Sequence, residues 1–236
     1  MTHTIHTIEM SSLLIILLPV AFVLWVQFQW SKNHREGLYA VSRMLVQLSI
    51  VGYFLGAIFN TDESWVVMLV LSIMILASSW IALRTVKVQR KQLYWYVVIS
   101  ILAGGGSVFI LVTQAVLHLQ PWYRPQYTIP LASMIFSNTM NCISLAAERF
   151  NDETTQGKAY QEARSVAYKT ALIPMTNSLF AVGLVSLPGM MTGQILSGVD
   201  PLIAARYQIM VMAMIYASGG IASAVYLVLI KPKFLS

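Results

Sequence analysis

Hydrophobic runs long enough to cross a bilayer alternate along this chain with short polar connections. A helical crossing takes about 20 mostly apolar residues. Runs of that kind fall at 10–29, 44–60, 64–83, 94–117, 128–147, 174–196 and 208–230, the second of them short. The pattern predicts an all-α, polytopic integral membrane protein of about seven transmembrane helices, forming one membrane domain over 1–236.

The sixth run is interrupted. Ser186-Leu-Pro-Gly-Met-Met-Thr-Gly-Gln194 places Pro188, Gly189 and Gly193 beside the hydrogen-bonding Ser186, Thr192 and Gln194. Proline has no N–H to give a helix, and glycine tolerates dihedrals that other residues resist. The sequence therefore predicts a break at Pro188-Gly189. Lipid cannot satisfy the freed backbone groups, so the stretch is expected to face protein or a watery cavity. Broken spans often mark a transport pathway. A proline kink that serves only helix packing is the alternative.

Composition agrees with the run pattern. Hydrophobic residues make up 57% and charged residues 10%, with a mean hydropathy of +0.69, and no stretch remains for a soluble catalytic module. The net charge of +6 reports topology, not a nucleic-acid partner. Lys32, Arg35 and Arg43 follow the first run; Arg84, Lys87, Arg90 and Lys91 follow the third. Arg149, Lys158, Arg164 and Lys169 follow the fifth, and Lys231 and Lys233 the seventh. Only Arg124 and Arg206 fall on the other side, so the positive-inside rule places the N-terminus out and the C-terminus in. All six tryptophans lie near run ends, as interfacial anchors do. Residues 1–10 carry no Lys or Arg and no A-x-A-like site follows, so the first run reads as an uncleaved span.

The longest connection, 148–173, is expected to be a polar cytoplasmic loop. Its second half, Lys158 to Lys169, holds good helix formers, with Ala159, Ala163, Val166, Ala167 and Thr170 at helical spacing. That predicts a short amphipathic helix at the cytoplasmic surface, lying on the lipid interface or gripped by a partner.

Absences narrow the chemistry. There is no G-x-x-x-x-G-K-[ST] phosphate loop, and Gly104-Gly-Gly106 has no lysine after it and reads as a helix-packing site. None of the nine acidic residues reaches mid-membrane, which argues against an ion-coupled carrier, and no mid-span lysine offers a chromophore attachment. His3, His6, His34 and His118 fall in tails and loops, and Cys142 reads as a small packing residue. The polar groups left inside are amides and hydroxyls. Ser133, Ser137, Asn138, Asn141 and Ser144 lie in the fifth run; Pro174, read as a first-turn helix residue, precedes Asn177 and Ser178 in the sixth. Met134, Met140, Met175, Met190 and Met191 share these runs. Interhelical glue and pathway lining are both open for the asparagines. A permease, a seven-helix receptor or interaction protein, and a gradient-driven carrier remain the readings to separate.

Three blocks of residues carry a more specific signal. Pro130-Leu-x-x-Met134 is followed by Ser137-Asn-x-Met-Asn141, Ile143-Ser-Leu145 and Glu148-Arg149. Ala171-Leu-Ile-Pro174 with Asn177-Ser178 continues them, and Gly183 through Ile195, with Gly198, Pro201 and Tyr207-Gln208, completes them. Over 126–210 the chain resembles the ABC-type permease family of the bacterial Fet iron exporter, related to the plant aluminium-tolerance ABC membrane subunits. The resemblance implies a multi-pass permease of the bacterial inner membrane, working as a homodimer among membrane lipids with a separate ABC ATPase. ATP would be bound by that partner, with no cofactor in this chain, and iron is the candidate for export. On the permease reading, Asn138, Asn141, Asn177, Ser186, Pro188, Gly189, Met190, Met191, Thr192 and Gln194 are expected to line or gate the pathway. In the 148–173 segment the resemblance points to Glu148, Arg149, Glu162 and Arg164 as ATPase-coupling residues. The metal-ligand set is open, since the runs offer no carboxylate or histidine and only Cys142 as a thiol.

Overall fold

The computed structural model describes residues 10–31, 34–60, 63–86 and 90–231. Among them the chain is helical, with no strand beyond an isolated bridge between Val182 and Ser186. The helices are α1 Met10–Trp30, α2 His34–Phe59, α3 Ser64–Ala82, α4 Arg90–Val116, α5 Pro125–Thr155, α6 Tyr160–Ala181, α7 Gly189–Leu196 and α8 Pro201–Leu229. Five segments are long and apolar enough to cross a membrane: Arg35–Gly56 within α2, and α3, α4, α5 and α8 whole. In α1 the apolar stretch Ile15–Trp30 is shorter. The all-helical membrane protein expected from the run pattern is thus present. Lys32, Lys87, Lys233, His3 and His6 lie outside the described residues.

The chain forms two compact units, 1–60 and 61–236. In the first, α1 packs with α2, and a side chain at Gly37 would strike Leu24 and Gln27. The α2 window Arg35–Gly56 buries nothing.

In the second unit α5 is the central helix, packed against α3, α6 and α8. Its inner face, Leu131, Ile135, Phe136, Ile143, Ala146, Ala147 and Phe150, recurs at the three-to-four spacing of a helix and is buried throughout. Small residues set how closely the helices approach. Cys142, buried as a packing residue, sits so near Gly219 of α8 that a Cβ there would lie 2.7 Å from its sulfur. Gly104 lies in a π-helical stretch of α4, Leu102–Gly106, and abuts the backbone of Ala222. The triple glycine is therefore a packing site at Gly104, and at Gly105, which faces Ile135 and Phe136.

Three boundaries differ from the run pattern. The 148–173 segment is not a loop carrying a separate surface helix. Helix α5 runs on to Thr155, a four-residue turn follows, and α6 begins at Tyr160. Of the face expected at the lipid interface or in a partner's grip, Ala163 and Ala167 are fully buried, as is Ala171 beyond it, Val166 and Thr170 are half-buried, and Ala159 is exposed in the turn. The buried alanines let α6 lie close against α5 and α8, which buries more apolar surface than a surface helix would. Pro174 stands inside α6, not at its first turn, because the helix nucleates upstream in the Lys158–Lys169 segment of good helix formers. The break in the sixth run also comes earlier than Pro188-Gly189. The non-helical residues are 182–188, and Gly189 already opens α7.

Candidate transport site

The break is built from backbone bonds. Helix α6 ends at Ala181, whose carbonyl accepts from the N–H groups of Val185 (2.8 Å), Ser186 (3.1 Å) and Leu184 (3.3 Å). Gly183 turns the chain at φ +86°, a conformation that only glycine adopts freely, and its N–H donates to the Ser186 carbonyl at 3.0 Å. The turn thus pairs the N–H groups of residues 183–186 and presents Leu184 and Val185, 91% and 85% exposed, at its apex. Pro188 then caps α7, its carbonyl accepting from the Thr192 N–H (3.0 Å) and hydroxyl (3.2 Å). Helix α7 packs on α8, with Met190 against the core, Met191 half-buried, and the Gln194 carboxamide oxygen buried without a hydrogen-bond partner among the described residues. Its C-terminus closes in a Schellman pattern, Val199 N–H to Gln194 O and Gly198 N–H to Ile195 O, after which Asp200 caps α8.

The asparagines sit on the neighbouring hairpin. Asn138 is half-buried and its amide donates to the Met134 carbonyl of its own helix at 2.8 Å. Asn141 and Asn177 are exposed. Asn138 and Asn177 each stand nineteen residues from the Gly157-Lys158 turn, so the α5–α6 hairpin brings them to one level, with Asn141 about one turn nearer the tip. Ser133, Ser137 and Asn141 recur every fourth residue as an exposed polar stripe. The two serines donate to carbonyls of their own helix, those of Pro130 and Met134.

The hairpin tip is rigidly braced. Glu153 is 1% exposed and holds Arg149 on one side and Lys158 on the other, each at 2.5 Å; Lys158 reaches Glu162 at 3.6 Å. The Glu153 hydrogen bond, and its charge with that of Glu162, raise the Lys158 ammonium above its ordinary pKa against the opposing effect of burial. A second Schellman pattern, Lys158 N–H to Glu153 O and Gly157 N–H to Thr154 O, ends α5 at the same point. Tyr160 donates to the Leu227 carbonyl at 2.7 Å and stacks edge-on against Phe150, tying the tip to α8. Glu148, Arg149, Glu162 and Arg164 all stay exposed around this brace. At 31 residues, α5 is about 46 Å long against about 30 Å of hydrocarbon, so its polar end must stand clear of the lipid core.

Two features escaped the sequence reading. Glu153 is the hub of the tip, and its signal was the i, i+4 spacing of Arg149–Glu153 and Lys158–Glu162. Thr139, Gln208 and Ser223 are buried in the bundle, each with an oxygen that has no partner among the described residues. Nothing in the run pattern separates them from half-exposed neighbours. Among the described residues no three His, Cys, Asp or Glu side chains converge as a metal site.

Comparison with known proteins adds the family. The profile described as "Uncharacterised protein family (UPF0014)" matches residues 8–164 and 154–235. The chain belongs to the UPF0014 family. It is 39% identical over 214 residues to the UPF0014 membrane protein slr1647 of Synechocystis, covering 83% of this chain and 82% of that one. It is 28% identical to the probable iron export permease protein FetB of Escherichia coli, over 97% of this chain and 93% of the relative. Protein ALUMINUM SENSITIVE 3 of Arabidopsis thaliana is 32% identical, over 92% and 85%. No solved structure matches the chain. This UPF0014 member is thus a membrane protein of a permease family, in keeping with the resemblance read from Pro130–Gln208.

Proposed function

We propose that the chain is the membrane-spanning permease subunit of an ABC exporter in a bacterial inner membrane, two copies pairing with two copies of a separate ATPase. Its cargo on this reading is a metal ion, with iron the first candidate. The observation that carries the proposal is the alignment with the probable iron export permease protein FetB of Escherichia coli over nearly the whole length of both chains. The whole chain acts as one permease domain crossing seven times, N-terminus out. The seven crossings are α1 to α5, the interrupted α6–α7 pair, and α8.

The geometry supports a division of labour. The braced α5–α6 tip carries Glu148, Arg149, Glu162 and Arg164 to the ATPase. Because Glu153 holds Lys158 of the turn, Lys158 reaches Glu162 of α6, and the two helices pack along their length, a push on the tip moves α5 and α6 as one lever. That lever bears Asn138, Asn141 and Asn177, and its far end is the break that leads into α7 with Ser186, Pro188, Gly189, Met190, Met191, Thr192 and Gln194. Carboxamide and hydroxyl oxygens with thioether sulfurs hold a cation weakly, which suits a group that must release its cargo.

Co-purification from native membranes in mild detergent tests the partner. A stoichiometric P-loop ATPase, and ATP-dependent iron uptake into inverted vesicles, are the expected results; a preparation with no ATPase overturns the proposal. Glu162→Lys separates coupling from folding, and is expected to abolish ATPase association while leaving the helical content intact. Asn141→Leu is expected to lower flux while assembly is kept; equal loss of both would make Asn141 interhelical glue.

A further inference from the structure

We propose that the groove between α6 and α8, near the α5–α6 tip, binds the phosphodiester headgroup of an anionic phospholipid. The groove encloses about 340 Å³. One wall is α6, with Arg164, Ser165, Tyr168 and Lys169; the other is α8, with Leu227 and Val228. Two cations line it, Arg164 and Lys169, and a third, Lys231, shares the Tyr160 ring with Arg164. Arg164 and Lys231 lie 5.6 and 5.8 Å from the centroid of the same Tyr160 ring, and Lys169 lines the groove one turn deeper. Among the described residues none of the three is ion-paired, whereas Arg149 and Lys158 at the tip are neutralised by Glu153 and Glu162. Like charges gathered around one ring repel, and an anion relieves the repulsion.

The level of the groove decides which anion. It lies between the tip, which stands clear of the hydrocarbon, and the apolar body of the bundle. Within it, exposed cations on α6 face Val228 of α8, apolar and 56% exposed. A headgroup on Arg164, Lys169, Lys231 and the Ser165 and Tyr168 hydroxyls, with its acyl chains along Leu227 and Val228, satisfies both walls at once. An acidic protein surface would satisfy only the first. Basic pockets between transmembrane helices at a membrane face take anionic headgroups by this chemistry. Of these groups only Arg164 is shared with the surface proposed to meet the ATPase; Lys169, Lys231 and the two hydroxyls serve the lipid alone.

The test is lipid retention by the full chain, reconstituted in nanodiscs of equal parts phosphatidylglycerol and phosphatidylcholine and released for native mass spectrometry. The wild type is expected to keep phosphatidylglycerol in preference, and each cation removed is expected to lower that preference roughly fivefold. Arg164→Gln/Lys169→Gln/Lys231→Gln should then hold the two lipids alike. Lys91→Gln/Arg124→Gln/Arg206→Gln, an equal charge change at residues that do not line the groove, should behave as wild type. Should the groove triple fail to fold, exposed Lys169→Gln alone must show the single step. Equal retention in wild type and groove variants overturns the proposal, as does an equal loss in both triples. Displacement of the lipid by excess inorganic phosphate would reassign the groove to a free anion. Unchanged lipid preference with lost ATPase binding would reassign it to the partner protein.

Discussion

Adding one methyl group to α4 should have opposite effects at positions two residues apart. A Cβ at Gly104 would lie 2.5 Å from the Ala222 backbone nitrogen, 2.7 Å from its Cβ and 2.8 Å from its Cα. Carbon atoms in contact sit about 3.5–4.0 Å apart, so α4 and α8 must separate by roughly 1 Å. The obstacle is backbone and cannot rotate away. Forced overpacking of this kind costs about 1–3 kcal/mol, while replacing glycine with alanine in a helix returns about 0.5–1 kcal/mol. Gly104→Ala should therefore be destabilised by about 1–2 kcal/mol. At Gly106 the nearest atom is the tip of Leu102, 4.0 Å away, so Gly106→Ala should be neutral or gain about 0.5–1 kcal/mol. Gly105→Ala falls between them, since Ile135 and Phe136 at 3.2–3.3 Å are side chains that can give. Reversible SDS unfolding in mixed micelles, followed by circular dichroism, reads the order. Ala222→Gly should rescue Gly104→Ala only in part, because it removes the 2.7 Å clash and leaves the 2.5 Å one. A Gly104→Ala protein as stable as Gly106→Ala would refute the close α4–α8 contact.

Three further substitutions probe the break and the tip. Asp200→Ala removes the oxygen that accepts from the Leu202 and Ile203 N–H groups at 2.8 and 3.3 Å, and should cost about 1 kcal/mol in the same unfolding assay; no loss would mean the cap is idle. Tyr160→Phe removes a buried hydrogen bond to Leu227 and should cost about 1 kcal/mol, with a faster exchange of the α8 C-terminal amides as its local signature. Lys158 gives a pH test. Its raised pKa means that the ion pair stabilises the fold fully below the ordinary lysine value of 10.5 and is lost as pH rises through the raised one. The melting temperature of the wild type should therefore fall in that alkaline window more steeply than that of Lys158→Met, and parallel curves would remove Lys158 from the brace.

The membrane character and most of the helices were legible because hydropathy and charge alternation are properties of long windows. Boundaries were not, because they depend on what each residue touches. Lys158 to Lys169 reads as a separate surface helix within a polar loop, yet its alanines at 163 and 167 are buried as α6 packs against α5 and α8, and burial overrides the polarity of the opposite face. Pro188 and Gly189 look like the helix breaker, yet proline is a good start for a helix, and Pro188 caps α7. The turn itself is made by Gly183, which a single glycine in an apolar run barely announces. The arrangement of the candidate site was not legible: Asn138 and Asn177 reach one level only because the hairpin turns at Gly157, where the sequence suggested a loop of 26 residues.

The exposed stripe on α5 has to meet something other than hydrocarbon. Ser133 and Ser137 lower their exposure cost by bonding their own helix. Asn141 is exposed, and among the described residues no hydrogen bond holds its amide. An uncompensated amide in hydrocarbon costs about 2–7 kcal/mol, comparable to the whole stability of many folds. A helix that placed this face against lipid would be selected against its own insertion. The cost disappears when the face meets water or the polar groups of a second copy, which are the surroundings that a transport pathway between two subunits provides. The same reasoning does not extend to the break, whose turn bonds its own backbone and offers Leu184 and Val185 to an apolar neighbour. The hairpin thus separates an exposed polar stripe ending at Asn141 from an exposed apolar apex beyond Ala181.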